Sequence, residues 1–185
     1  MEILKTGNPV LIQKSKKINK INTKLLDTIK EMEQTLRETH DPVGVGLAAP
    51  QVGIPLRLFL AKPSEKSEIL TFINPEIVEA ENKTDDNKKN KTVQKKSKTL
   101  LEGCLSLPNI WGNVSRKKEL TLKYKGINGK YHKRKFKGFL ATIIQHEIDH
   151  LNGILFTKKV MEQSQKLYRS YKNEKGEDEF EEINV

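Results

Sequence analysis

Apolar residues recur along this chain with two different spacings, and the longer spacing predicts helices. Between residues 23 and 39 the spacings are four, three and four, at Leu25, Ile29, Met32 and Leu36. This period gathers the apolar side chains on one face of a helix. Asn22 precedes the segment and is a suitable cap, since its side chain can accept a hydrogen bond from a first-turn N–H. Residues 23–39 are therefore predicted to form an amphipathic helix.

Shorter apolar runs and strict alternation predict strands. Two such runs cover residues 56–61 and 69–73, and each ends at a proline or a polar residue. From Leu120 to Tyr124, apolar residues alternate with polar ones. The pair Asn128-Gly129 that follows is a strong signal for a tight turn, so residues 131–136 are predicted to return as the partner strand of a hairpin.

The elements that remain complete an α+β prediction. Gly138 is expected to open a helix that Asn152-Gly153 closes. A last amphipathic helix is expected over residues 161–172, with Leu167 and Tyr171 among its apolar positions. We therefore expect antiparallel strands packed around a central helix, with N-terminal and C-terminal helices beside them. A chain of 185 residues suits one domain, which we expect over residues 1–173.

The formal net charge of +10 is unevenly placed. Residues 83–98 hold seven lysines against two aspartates, so the segment 82–98 is expected to be a mobile loop insertion. Residues 174–185 carry six acids and one lysine and are expected to be a disordered tail. The other cations are spread out and are not interleaved with aromatic residues that would stack on bases. Specific recognition of DNA is therefore not expected.

The single cysteine and the N-terminal residues indicate the cellular compartment of the protein. Cys104 is the one cysteine, so no intramolecular disulfide can form and a reducing compartment is expected. The first residues lack the apolar run of a signal peptide, and no stretch approaches membrane-spanning length. We expect a cytoplasmic monomer without membrane contact. An organelle, reached through a targeting segment since removed, is the alternative.

The sequence Gln-His-Glu-Ile-Asp-His at 145–150 predicts a metal site on the central helix. His146 and His150 are four residues apart, so both can bind one ion from the same helical face. Glu147 lies beside them, where a carboxylate can move a proton between water and a leaving group. The alternative is an interior helix with two histidines in purely structural roles.

Two other segments can complete such a site. Cys104 follows Gly103 in an apolar segment and is a candidate third ligand, although buried cysteines are usually inert. A thiolate ligand favours Fe(II), Zn(II), Ni(II) or Co(II) over magnesium or calcium. Gln51 ends a stretch of small residues, and its carboxamide can stabilise negative charge on a carbonyl oxygen. Taken alone, that stretch is equally consistent with a tight turn.

Together, three segments resemble the signature motifs of peptide deformylase. They are Gly-Val-Gly-Leu-Ala-Ala-Pro-Gln at 44–51, Glu-Gly-Cys-Leu-Ser at 102–106 and Gln-His-Glu-Ile-Asp-His at 145–150. The similarity extends from Met1 to about Phe156. Each motif alone has little specificity, but the three in this order are highly specific.

The resemblance implies a function and a role for each matching residue. The enzyme would remove the formyl group from N-formylmethionyl chains and release formate. Cys104, His146 and His150 would bind one divalent metal, typically Fe(II) and replaceable by zinc, nickel or cobalt. Glu147 would transfer the proton, while the Gln51 side chain and the Leu105 backbone N–H would hold the formyl oxygen.

Substrate contacts follow from the same resemblance and from helical spacing. Gly44, Val45 and Gly46 are expected to pair with the peptide backbone as a strand does. Phe139, Thr142 and Ile143 share the helical face of His146 and are candidates for the methionine pocket. Ordinary packing against the sheet is the alternative for each of these three residues.

Residues around the site and at the C-terminus carry further expectations. Arg116 and Asp149 are expected to pair near the metal, with Glu102 holding a neighbouring backbone group. Docking to the ribosome near the exit tunnel, as in some family members, would use C-terminal cations: Lys158, Lys159, Lys166, Arg169 and Lys172.

Two other functions stay open on the sequence alone. One is a zinc metallopeptidase, since the His-Glu-x-x-His pattern is shared. The other is a basic RNA-binding protein in which the metal is structural.

Overall fold

The computed structural model describes residues 1–81 and 101–183, so the loop predicted at 82–98 lies outside the described residues. The helices are α1 (Thr23–Glu38), α2 (Gly138–Leu151) and α3 (Phe156–Glu162). The strands are β1 (Gly46–Ala48), β2 (Leu58–Ala61), β3 (Leu70–Glu81), β4 (Glu102–Cys104), β5 (Leu107–Gly112), β6 (Glu119–Lys125), β7 (Tyr131–Lys137), β8 (Leu167–Lys172) and β9 (Asp178–Ile183). All strand pairs within the two sheets are antiparallel. The expected α+β class is confirmed.

Helix α1 forms where the apolar period predicted it. The Asn22 side chain accepts a hydrogen bond of 3.0 Å from the Leu25 N–H and caps the helix. The four periodic residues are buried and pack with apolar residues of β1 and β2, including Leu47, Leu58 and Leu60. Burial of this one face explains why a helix with so many charged residues is stable.

The larger sheet has the strand order β1-β2-β3-β6-β7. The predicted hairpin is confirmed, because β6 and β7 pair from Glu119 opposite Lys137 to Lys125 opposite Tyr131. Helix α2 lies against this sheet and buries most of its length there. The helix ends before Gly153, whose φ of 71° suits glycine and whose Cα lies tightly against the Ile12 carbonyl. A sheet-packed helix is the element that carries the predicted metal motif.

The smaller sheet has the order β4-β5-β8-β9. One of its faces packs on α3, through a cluster that includes Cys104, Leu107, Phe156, Val160 and Leu167. No helix in the described part of the chain is both long and apolar enough to cross a membrane.

The C-terminal prediction was wrong in two respects. Residues 161–172 do not form a helix, because α3 ends at Glu162 and Leu167–Lys172 is strand β8, paired with β5. The acidic tail is not without structure up to residue 183, since Asp178–Ile183 is strand β9 and pairs with β8 along its whole length. Lysines in or just before β8 form ion pairs with acids of β9. Lys166, for example, lies 2.5 Å from Glu182. Pairing of β8 with the distant strand β5, and of β9 with its neighbour β8, decides these outcomes.

One edge strand of each sheet borders the same cavity. Strand β1 is one edge of the larger sheet, and β4 is one edge of the smaller sheet. Residues of both edges line one cavity, and α2 contributes another wall. An edge strand offers unpaired backbone N–H and C=O groups, so this cavity has backbone pairing groups on two sides.

Candidate active site

Helix α2 and strand β4 bring three metal-ligating side chains together. His146 and His150 lie one turn apart on α2, with ring centroids 5.0 Å apart. Cys104 ends β4, and its Sγ lies 3.2 Å from Nε2 of His150. One ligand atom from each of the three residues lies within 4.8 Å of the others. The predicted ligand set is therefore assembled in space, although Cys104 is more than 40 residues from the two histidines in sequence.

The electrostatics of this cluster suit a metal ion. Burial alone raises the pKa of Cys104, but His150 and His146 outweigh it and hold that pKa well below its usual range. The thiolate is the form that binds metals. One thiolate and two imidazoles form a protein donor set found at catalytic sites of borderline metals, where a further position stays open. The residues present thus fit a single divalent ion.

A buried network of charges orients one of the ligands. His146 Nδ1 donates to Glu102 Oε2 at 3.2 Å. Arg116 donates to both oxygens of Glu102 at 2.8 and 2.9 Å, and to Asp149 at 2.6 Å. Burial raises the pKa of Glu102, but Arg116 and His146 outweigh it, so that pKa is lowered. The expected pairing of Arg116 with Asp149 is present.

The role expected for Glu102 was wrong, because within residues 1–81 and 101–183 its carboxylate bonds with two side chains and with no backbone group. A carboxylate behind a ligating histidine fixes the ring and raises its basicity. Accordingly, although burial acts to lower the pKa of His146, contacts with Cys104 and Glu102 raise it well above the ordinary value.

Glu147 lies in the same pocket as the three ligands. Its side chain is buried, and burial raises its pKa to about 7. Oε2 of Glu147 has no hydrogen-bond partner among the described residues. The carboxylate packs directly on the Cα of Gly46, where an added Cβ would lie 2.7 Å from Glu147 Cδ and closer still to Oε1. A carboxyl group with a pKa near neutrality can both accept and release a proton.

Gln51 is fixed beside the sulfur. Its Oε1 accepts from the Ala48 N–H at 2.8 Å, so its Nε2 faces Cys104 Sγ at 3.6 Å and Ser106 Oγ at 3.2 Å. Leu105 directly follows Cys104 in the turn between β4 and β5, and its carbonyl accepts from Lys5 Nζ. The predicted donors on Gln51 and Leu105 therefore lie next to the metal ligands.

The cavity above these residues has a volume of about 700 Å³. Five predicted substrate-binding residues line it: Val45, Gly46, Phe139, Thr142 and Ile143. Gly44 is not among the lining residues and instead packs on α1, since an added Cβ would lie 2.8 Å from Leu36 Cδ1. The structure thus groups the predicted substrate residues around one cavity, with Gly44 behind its wall.

Two residues near the site were missed by sequence reasoning. Ser106 is fully buried and accepts from Gln51, and its place within the Glu-Gly-Cys-Leu-Ser motif was an available signal. Trp111 lines the cavity and packs on Gly103, where an added Cβ would lie 2.8 Å from the indole ring. It is the one tryptophan of the chain, but its sequence context gave no indication of this position.

Known proteins share both the sequence and the fold. A family model described as polypeptide deformylase matches residues 1–166. A peptide deformylase from Halothermothrix orenii is 40% identical over 161 residues, covering 87% of this chain and 94% of that protein. One from Borreliella burgdorferi is 37% identical over 177 residues, covering 95% and 98% respectively.

Solved structures agree with these relatives. The crystal structure of peptide deformylase from Thermotoga maritima has a TM-score of 0.72 at 35% identity, covering 85% of this chain and 95% of that one. Peptide deformylase 1B from Arabidopsis thaliana has a TM-score of 0.74 at 29% identity, covering 88% and 83%. The chain belongs to the polypeptide deformylase family and is a hydrolase that removes the N-formyl group from nascent polypeptides.

Proposed function

We propose that this chain releases formate from N-formylmethionyl peptides through one metal ion held by Cys104, His146 and His150. The observation that carries the proposal is the convergence of the three ligand atoms in a cavity that also contains the unpartnered carboxylate oxygen of Glu147. The unit of function is one catalytic domain, which includes the C-terminal hairpin of β8 and β9.

We propose Fe(II) as the bound ion because of the resemblance to peptide deformylase, with Zn(II), Ni(II) or Co(II) as substitutes. A thiolate ligand lowers the affinity for hard cations such as magnesium and suits these softer metals. When bound, the ion supplies Lewis acidity, which makes water a nucleophile near neutral pH. The buried network behind His146 keeps that ligand in its ligating orientation.

Glu147 is the proposed general base and acid. Its pKa of about 7 allows it to take a proton from the attacking water and then give that proton to the departing amine. Because Gly46 has no side chain, the carboxylate can lie directly against the β1 edge. The proton is thus moved at the place where we expect the peptide backbone to pass.

Gln51 and Leu105 are the proposed donors to the formyl oxygen. The Gln51 carboxamide is already oriented by its bond from the Ala48 N–H, so little reorganisation is needed when substrate arrives. Neutral donors held in advance toward a developing negative charge are a large source of catalysis. Both donors flank Cys104, so the formyl carbon is expected to lie above the sulfur.

The peptide is proposed to bind as an extended strand between the edges of β1 and β4. Backbone groups of Val45 and Gly46 would pair with it, while Gly44 allows their approach by packing on α1. Phe139, Thr142 and Ile143 would accommodate the methionine side chain, because all three line the cavity on the α2 side.

We also propose a location for the enzyme and a partner other than the peptide. We place the enzyme in the cytoplasm as a monomer that acts on chains near the ribosomal exit. Of the five cations expected to contact ribosomal RNA, three are in ion pairs: Lys159 with Glu162, Lys166 with Glu182 and Lys172 with Asp178. Lys158 and Arg169 are the cations of that set with no ion pair among the described residues.

Formate release by protein prepared without oxygen and loaded with ferrous iron or nickel tests the proposed chemistry. The Glu147→Gln variant keeps the shape of the side chain against Gly46 but cannot accept the proton. We expect at least a 100-fold loss of kcat with metal content unchanged, in line with the usual ~10²–10⁴-fold contribution of a general base.

The exposed Glu162→Gln variant on α3 is the matched control and should keep full activity. A Glu147→Gln enzyme that retains normal turnover would remove Glu147 from the mechanism. Cleavage of internal bonds in an unformylated peptide would instead favour the metallopeptidase function.

A further inference from the structure

The smaller sheet presents one face to the active-site cavity. In β5, Trp111 lies opposite Gly103 of β4 on one side and Tyr168 of β8 on the other. Side chains alternate along a strand, and the neighbouring Gly112 faces α3, where an added Cβ would lie 2.6 Å from Val160 Cγ2. Trp111 therefore lies on the other face, where it lines the cavity.

The C-terminal hairpin holds the indole of Trp111 in place. Its Nε1 donates to Ser170 Oγ of β8 at 3.0 Å. The ring of Phe180 in β9 meets it edge to face, with centroids 5.8 Å apart and an interplanar angle of 83°. On the remaining side the indole rests on Gly103, directly before the ligand Cys104. Both strands of the hairpin lie beyond residue 166, where the match to the family model ends.

Three aromatic residues lie on this face, which we call the aromatic shelf: Trp111, Tyr168 and Phe180. Tyr168 is opposite Trp111 in the sheet register, and Phe180 is opposite Ser170, so all three side chains share a face. Phe180 is 46% exposed, and the other two are partly buried. The shelf thus continues the cavity wall outward to solvent.

In the proposed binding mode, the substrate passes the shelf at Trp111, the shelf residue that lines the cavity. With the formyl group above Cys104, a peptide that runs along the β4 edge passes Gly103 next. Each residue of an extended chain advances about 3.3 Å, so the side chains of the first two residues after methionine lie within reach of Trp111. An aromatic face exposed beside a ligand cavity is well suited to apolar contact.

We infer that the aromatic shelf binds the residues that follow formylmethionine and gives the enzyme a preference for bulky apolar side chains there. Trp111 is the specificity-determining residue, and Ser170 and Phe180 are positioning residues that act through it. The inference rests on the proposed function, since it requires the formyl group to lie at Cys104. Acidic side chains are disfavoured, because the faces of aromatic rings carry partial negative charge.

Peptide selectivity is the first test. The ratio of kcat/KM for formyl-Met-Leu-Phe to that for formyl-Met-Ala-Ser is measured in the wild type and in Trp111→Ala. We expect this ratio to fall about tenfold in Trp111→Ala, the discrimination typical of one apolar contact, because kcat/KM for formyl-Met-Leu-Phe should fall more than that for formyl-Met-Ala-Ser. An unchanged ratio in a folded, metal-loaded variant overturns the inference.

Two substitutions on β8 that each remove a hydroxyl group test the positioning role. They also keep the inference testable if the Trp111→Ala variant does not fold. Ser170→Ala removes the acceptor of the indole N–H, whereas Tyr171→Phe removes a hydroxyl that donates to Glu179. The peptide ratio should fall in Ser170→Ala, mainly through KM for formyl-Met-Leu-Phe, and stay at the wild-type value in Tyr171→Phe. Equal ratios in both variants count against the shelf.

Fluorescence gives a readout independent of turnover. Because Trp111 is the one tryptophan of the chain, its emission reports on the shelf directly. In the Glu147→Gln enzyme, formyl-Met-Leu-Phe should shift the emission to shorter wavelength, and formyl-Met-Ala-Ser should shift it less. If the wild type releases no formate from either peptide, the proposed function fails. If it releases formate while ratio and emission do not respond, the shelf inference alone fails.

Discussion

Carboxylates pair with cations in two regions of this molecule that differ in depth. Behind His146, the side chains of Arg116, Glu102 and Asp149 are 9%, 8% and 15% exposed. On the C-terminal hairpin, Lys166 and Glu182 are 60% and 42% exposed. Water can solvate the outer pair when it breaks, but it has little access to the inner charges. The inner network is therefore tied to the geometry of the metal site, and the outer pair is not.

The two regions also differ in what they contribute. A buried ion pair adds little net stability compared with apolar packing, yet removal of one partner leaves the other charge buried and unpaired. Exposed pairs contribute about 0–1 kcal/mol each and are screened by salt. Buried charges here hold the ring of His146 in position, while the surface charges at most bias the hairpin toward its observed register.

The largest expected effect comes from Arg116→Ala, which leaves Glu102 and Asp149 buried without their cation. We expect the free energy of unfolding to fall by about 3–5 kcal/mol, as for other broken buried pairs. Urea denaturation of the metal-free protein measures this change without contribution from ligand binding. A loss as small as that of a surface pair would show that water reaches the network.

A more selective effect is expected from Glu102→Gln, which keeps the side-chain shape but removes the charge that faces His146. Metal affinity should fall about 10–100-fold, the usual effect of losing a partner of a ligating histidine. Competition with a chelator of known affinity measures it. Glu182→Gln on β9 is the control and should bind metal as the wild type does.

The smallest effect is expected from Lys166→Ala at the surface. Its loss of stability should be far smaller than that of Arg116→Ala and shrink further at high ionic strength, where the Debye length falls to about 3 Å at 1 M. Urea denaturation at low and high salt measures both quantities. The loss of stability in Arg116→Ala should persist at high salt. If salt reduced the loss equally in both variants, the buried network and the surface pair would not differ in their access to water.

The metal helix and the N-terminal helix could be predicted because their signals are local. His146 and His150 share a face through helical geometry alone, and the apolar period of α1 is contained within its own residues. The pair Asn128-Gly129 likewise marked the turn between β6 and β7. The placement of Cys104 beside these histidines was reached through the family motifs, since no local pattern joins the two segments.

The C-terminal hairpin could not be predicted in the same way. Leu167 and Tyr171 are four residues apart, which suits a helix, but β8 has its partners in β5 and β9. Acids that indicated disorder in the sequence are cross-strand neighbours of lysines in the fold, as for Lys172 and Asp178. Composition alone does not reveal that such charges will face each other. The hydrogen bond from His146 to Glu102 was not predicted for the same reason, because composition does not show which charged groups will lie together.

The tight contact between Gly46 and Glu147 has a consequence for inhibitor design. Any side chain at position 46 would displace the carboxylate, because even a Cβ would lie 2.7 Å from Glu147 Cδ. An inhibitor that pairs with the backbone of Gly46 therefore contacts a position where a resistance mutation would also damage the enzyme. Compounds anchored at that edge should retain potency longer than compounds that depend on the exposed ring of Phe139.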